Sequence, residues 1–212
     1  MSILNLKSSW NSATGFLAVL IFLFFTITSL ALYPGHYSPF NNWVSDLGNV
    51  NLNPAGSTLF NWGCIITGLI LVTFFSGLHR WQPHKKCNRV LLMLGVIIGV
   101  FSSISLIFVG IFPETDIKMH QIASIGVFSS IFFVIILLNL ALFKHPKFIR
   151  AVAYYGLFVI IAELVFQHVL TMKNYTSTFN PVMSASFMEW VVVISSLAWI
   201  GFLSLNMLMK KI

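Results

Sequence analysis

Residues 90–112 read VLLMLGVIIGVFSSISLIFVGIF, twenty-three positions without a charge between Arg89 and Pro113. A hydrocarbon layer about 30 Å thick takes roughly 20 apolar residues of α-helix to cross, so this stretch predicts a transmembrane span. Basic residues stop it on one side, and Pro113-Glu114-Thr115-Asp116 stops it on the other. Five further runs of the same kind flank it, at about 13–33, 58–78, 120–143, 151–171 and 187–209. Composition agrees: 58% of the 212 residues are hydrophobic and 8% are charged, and mean hydropathy is +0.90. Soluble domains carry about 25% charged residues, so a water-soluble globule is excluded. The expected fold is an all-α polytopic membrane protein, a single domain over 1–212 built as a six-transmembrane-helix bundle.

The first span has a small-residue triplet, Ser29-Leu30-Ala31, of the kind that follows a secretory signal. Its apolar stretch is too long for an ordinary signal core, and it reads as an uncleaved helix. Cys64 lies in an apolar run and Cys87 in a basic loop, which makes no disulfide framework. No low-complexity tract and no internal repeat stands out.

Twelve Lys and Arg against five acids give a formal charge of +7. In a soluble protein that excess would hint at nucleic acid. Here the cations sort by loop, so membrane lipids and no nucleic acid are the expected partners. Lys7, Arg80, Lys85, Lys86, Arg89, Lys144, Lys147, Arg150, Lys210 and Lys211 fall on one side, and only Lys118 and Lys173 on the other. Because cytoplasmic loops carry the basic excess, both termini are expected in the cytoplasm, in a multi-pass protein of the cell membrane.

The loops differ in kind. Connections on the basic side are short and carry Pro83 and Pro146. The loop 34–57 on the outer side holds Tyr37, Phe40 and Trp43, rings suited to the headgroup interface, and is expected to fold down over the bundle. The last outer loop, 172–186, is rich in Ser, Thr and Asn. It contains a turn at Asn180-Pro181 and a glycosylation sequon at Asn174 that lies too near the membrane to weigh. Gly95-x-x-x-Gly99 is expected to admit a neighbouring backbone. Asn61, Cys64, Gly68, Ser102, Ser103 and Ser105 read as packing residues.

All five acids (Asp46, Glu114, Asp116, Glu163 and Glu189) fall in the outer half, with His36, His120 and His168. His79, His84 and His145 sit among the inner cations. Glu163 lies about eight residues inside its span, roughly 12 Å deep. A carboxyl at such depth is costly and faces the bundle interior, with Gln167 and His168 beside it; it reads either as a functional group or as a protonated Glu bonded to Ser or Asn on a neighbouring helix. Asp116 and His120, four apart, are placed for a carboxylate to orient an imidazole, although Asp116 reads equally as a helix-start residue. Glu189 has the same helix-start reading. Ser45-Asp46-Leu47-Gly48 reads as a turn, with Asp46 either accepting backbone bonds or pointing into the bundle as a ligand or base.

The stretch Asn41-Asn42-Trp43-Val44-Ser45-Asp46-Leu47-Gly48, followed by Asn61-Trp62-Gly63 and Gly68, resembles the domain-of-unknown-function 998 family of hexahelical membrane proteins of archaea and bacteria. Gly110-Ile111-Phe112-Pro113 followed by His120 looks like that family's second motif. The Ser45–Gly48 turn also looks like the DRAM and Sfk family, which includes GPI-lipid remodelling factors. The alkaline ceramidases and adiponectin receptors offer an analogy of site chemistry, a Ser, an Asp and three His around intramembrane zinc. This chain has Ser45, Asp46, His120 and His168 but lacks their seventh helix and their paired histidines.

The functional expectation is therefore a polar Asp/Glu/His site near the outer leaflet. Ser45, Asp46, His120, Glu163 and His168 are its candidate catalytic residues. Zinc is the cofactor that His120, His168 and Asp46 would hold. The chemistry expected is that of a lipid-directed hydrolase or transferase. The alternatives are a non-catalytic lipid-binding or transport protein and a structural assembly factor. Oligomeric state is not legible.

Overall fold

The computed structural model describes residues 3–172 and 184–210, with the side chains of the first helix described from Ser12 onward. Lys173, Asn174 and its sequon, the Asn180-Pro181 turn and Lys211 lie outside the described residues. Helices α1 (Ile3–Ala31), α2 (Ser57–Gly77), α3 (Lys86–Ile111), α4 (Ile117–Leu142), α5 (Arg150–Thr171) and α6 (Ala185–Met209) follow in order. Each of the six contains a stretch long and apolar enough to cross a membrane. Short 3-10 turns at Ser45–Gly48 and Leu78–Trp81 complete the elements.

The helices exceed the expected spans mainly at their basic ends. Helix α3 starts at Lys86, four residues before the apolar run, because Lys86-Cys87-Asn88-Arg89 continues the hydrogen-bonded spiral beyond the apolar belt. Hydropathy finds the oily part of a helix, and backbone bonding extends past it.

Each helix packs against its neighbours in sequence, and α6 returns to pack on α1, which closes a ring. Lys85, Lys144 and Arg150 lie at one end of the ring, the basic end, and Asp46, Glu114, Asp116 and Glu189 lie at the opposite, acidic end. Large apolar side chains point outward from every helix: Phe24, Leu69, Ile97, Ile125, Leu157 and Phe202 are all exposed. An outward apolar belt around buried serines, asparagines and glutamates suits hydrocarbon surroundings.

Close approach between helices occurs where two glycines meet backbone. A Cβ on Gly68 would stand 2.7 Å from the Ser103 carbonyl oxygen, and one on Gly110 would collide with the Asn61 carbonyl. These contacts lock α2 against α3. Gly95 and Gly99 act differently from expectation. Gly95 receives the Leu138 side chain of α4 and Gly99 receives the Phe75 ring of α2, so the pattern seats two side chains from two helices.

The loop after α1 folds down as expected, held by polar bonds the sequence did not announce. Asn53 is fully buried and its Nδ2 donates to the Ser29 carbonyl (3.2 Å), to Ser29 Oγ (2.9 Å) and to the Leu47 carbonyl (3.1 Å). Its Oδ1 accepts from the Gly56 N–H. Asn61 Nδ2 donates to the Gly48 carbonyl at 3.1 Å. On the opposite flank, Trp190 Nε1 donates to Tyr37 Oη and to the Asn42 carbonyl, and Phe40 stacks on Phe187 at 4.8 Å. The 3-10 turn Ser45–Gly48 is thereby pressed onto the mouth of the helix ring.

Candidate functional site

Under that turn lies a cavity of about 100 Å³. Its upper wall carries Ser45, His120 and Glu189, and its lower wall is formed by Leu71, Phe75, Ile131 and Ile200. Glu189 and Ile200 stand eleven residues apart on α6, as do His120 and Ile131 on α4. At 1.5 Å per residue the slot is about 16 Å deep. Below the mouth its lining is apolar except for Ser102, Ser124 and Ser196. Helix α5 contributes no residue to it.

His120 is 8% exposed at the start of α4. Its Nδ1 lies 2.9 Å from the Phe112 carbonyl oxygen. That oxygen can only accept, so Nδ1 carries the hydrogen and the neutral ring keeps Nε2 as its acceptor nitrogen. The Phe112-Pro113 segment, which breaks the chain between α3 and α4, thus sets the tautomer of the one histidine in the cavity wall. Asp116 takes no part in orienting that ring. It is exposed and caps α4, its Oδ1 accepting from the Met119 N–H at 3.4 Å.

Asp46 is 6% exposed within the turn. Its Oδ2 accepts from the Trp43 N–H (3.0 Å) and from Asn42 Nδ2 (3.3 Å). Burial, then the neighbouring Glu114 carboxylate, push Asp46 up to about 6, against the lowering pull of its two donors. Glu189, 7% exposed, accepts the Val44 N–H at 2.6 Å and feels the charges of Asp46 and Glu114. Glu114 Oε2 accepts from Asn49 Nδ2 at 3.1 Å. Three carboxyls therefore converge around the turn, each tied to the loop by a donor. Among the described residues, no set of three His, Cys, Asp or Glu stands ready to hold a metal ion.

The candidates separate cleanly by element. Ser45 and His120 line the cavity, and Asp46 is adjacent to Ser45. Glu163 and His168 are both on α5, outside it. Glu163 is 1% exposed, and neither carboxyl oxygen has a hydrogen-bond partner among the described residues. His168 and Gln167 are exposed on the outer face of α5, away from Glu163. With His168 turned outward, the donor set His120, His168 and Asp46 is not assembled, and these residues do not fit the zinc site expected of them. Glu189 and Glu114 are the residues the sequence reading missed as members of the site. Their signal was the gathering of acids at one end, which helix-dipole reasoning explained away for Glu189.

Searches of curated proteins and of solved structures returned no match, and no likeness to DRAM and Sfk proteins is shown. A family model described as a protein of unknown function, DUF998, matches residues 16–206. That match takes in all six helices, the Ser45–Gly48 turn and the cavity lining, and the chain belongs to the DUF998 family of membrane proteins.

Proposed function

We propose that the chain is a lipid-directed hydrolase or transferase that draws one hydrocarbon tail into the cavity and presents the adjoining polar linkage to His120. The observation that carries this reading is the cavity itself: a slot about 16 Å deep by helix rise, polar at its mouth and mainly apolar below. The volume of about 100 Å³ takes the end of a tail rather than its whole length. The mouth supplies chemistry in the right place. His120 Nε2, bare because Nδ1 is held by Phe112, takes a proton from a water molecule or from the Ser45 hydroxyl. The oxygen so freed attacks the ester carbon, the carbon–oxygen bond of the leaving group breaks, and His120 returns the proton to the departing alkoxide. Attack by water gives hydrolysis at once. Attack by Ser45 leaves an acyl group on the serine for water or an acceptor alcohol to remove. Asp46 and Glu189 hold the turn that carries Ser45.

Turnover is the test. The purified chain, in mixed micelles with acyl-labelled phosphatidylethanolamine and phosphatidylglycerol, is followed for release or transfer of the labelled chain. Wild type is expected to process at least one. His120→Ala should fall by about 10²-fold or more with its melting curve retained. Ser45→Ala should abolish activity if the serine is acylated and spare it if water attacks directly. A lipid retained in the cavity with no turnover would retire the enzyme in favour of the alternative, a non-catalytic lipid-binding or transport protein.

A further inference from the structure

At the basic end, between α3, α4 and α5, a cleft of about 430 Å³ opens beside Lys85, Asn88, Asn139, Lys144 and Tyr154. We propose that this cleft binds the phosphate headgroup of an anionic glycerophospholipid, independently of the cavity at the acidic end.

Four observations meet there. Lys85 and Lys144 flank the cleft, both exposed, and all five Asp and Glu side chains lie elsewhere. Helices α3 and α5 both begin here, at Lys86 and Arg150, and neither N-terminus is capped by a side chain. Two positive dipole ends favour an anion. Arg150 lies over the Phe143 ring at 5.7 Å, which adds a third cation at the rim. At the back, Asn139 donates through Nδ2 to the Ala153 carbonyl at 3.1 Å, which ties α4 to α5 behind the cleft.

The chemistry of these groups selects the ligand. Lysines and open helix starts take a phosphate. The remaining wall, Leu157 with Phe143, is apolar and exposed on the hydrocarbon side, where the acyl chains would run. The volume is in the range of small-molecule sites and exceeds what a lone ion needs. Basic pockets between helices are the known form of headgroup recognition at membrane surfaces.

The experiment is a native mass spectrometric titration of the full chain in detergent with phosphatidylglycerol, phosphatidylcholine or inorganic phosphate. Phosphatidylglycerol is expected to bind about tenfold more tightly than phosphatidylcholine, and added salt should weaken it. Lys85→Gln and Lys144→Gln should each lower that affinity roughly five-fold, the value of one cation near an anionic lipid. Lys118→Gln at the opposite end should leave it unchanged. Both lysines are exposed, so these variants are expected to fold as wild type. Equal affinity for the two lipids, or full affinity in the double variant, overturns the proposal. Inorganic phosphate displacing the lipid at equal concentration would make the site a free-anion site and overturn the lipid assignment.

Discussion

Two buried carboxyls follow opposite logics. Asp46 is satisfied by two donors yet crowded by Glu114, which with burial raises it to about 6. The folded chain thus keeps a proton that the unfolded chain, with an aspartate near 3.8, has lost. Stability from that proton is fully present below about pH 4 and disappears as the pH rises through about 6. Asp46→Asn keeps an acceptor for Trp43 and Asn42 and removes the titration. It should melt above wild type at pH 8 by about 2–4 °C per kcal/mol recovered, and match it near pH 4. A gap that ignores pH would contradict this. Glu163 has no hydrogen-bond partner among the described residues, and its burial costs on the order of 1–3 kcal/mol. Glu163→Met is expected to raise the melting temperature by several degrees and to leave turnover intact, because α5 lends no residue to the cavity. A loss of turnover with the fold preserved would put Glu163 back into the site. At this scale the sequence was only partly legible. Ser45 and His120 could be picked out because their residue types and places were unusual. Glu189 could not, because its partner Val44 lies 145 positions away and offers only a backbone N–H.

All six helices were legible, since 20-residue apolar runs leave the backbone no other solution in hydrocarbon. What holds them together was less so. The spacing of Gly95 and Gly99 drew attention, yet the backbone contacts between α2 and α3 are at Gly68 and Gly110, isolated glycines whose partners no local pattern names. Gly110→Ala would drive a methyl group into the Asn61 carbonyl, and is expected to cost about 1–3 kcal/mol, read as a lower melting temperature. Gly95→Ala meets side-chain atoms of Leu138 rather than backbone and should cost markedly less. Equal losses would mean that α2 and α3 do not rely on close approach. The loop 34–57 repeats the lesson. Its aromatic content told that it would lie on the bundle, whereas its anchor, Asn53, looked like any loop asparagine until Ser29 and Leu47 were seen to converge on it.

Across the whole molecule, charge is divided end to end, with cations gathered at one mouth of the ring and carboxyls at the other. If that division sets the topology, the basic end faces the cytoplasm. Cys87 is exposed there and Cys64 is buried, so a membrane-impermeant maleimide should label Cys87 in inverted vesicles and leave both thiols untouched in intact cells. Labelling from outside would reverse the topology. The same division places a narrow, mainly apolar cavity beneath the carboxyls and a wider cationic cleft at the far end, each suited to a different part of a lipid. The cavity is the centre of the functional reading. The most direct measurement of it is native mass spectrometry of the purified chain in the Lys85→Gln, Lys144→Gln background, which silences the basic cleft. One bound lipid per chain is predicted. It should survive in His120→Ala and vanish in Ser196→Phe, where an aromatic ring takes up the slot. A well-folded chain without lipid, or a Ser196→Phe variant that keeps its full complement, would contradict the account.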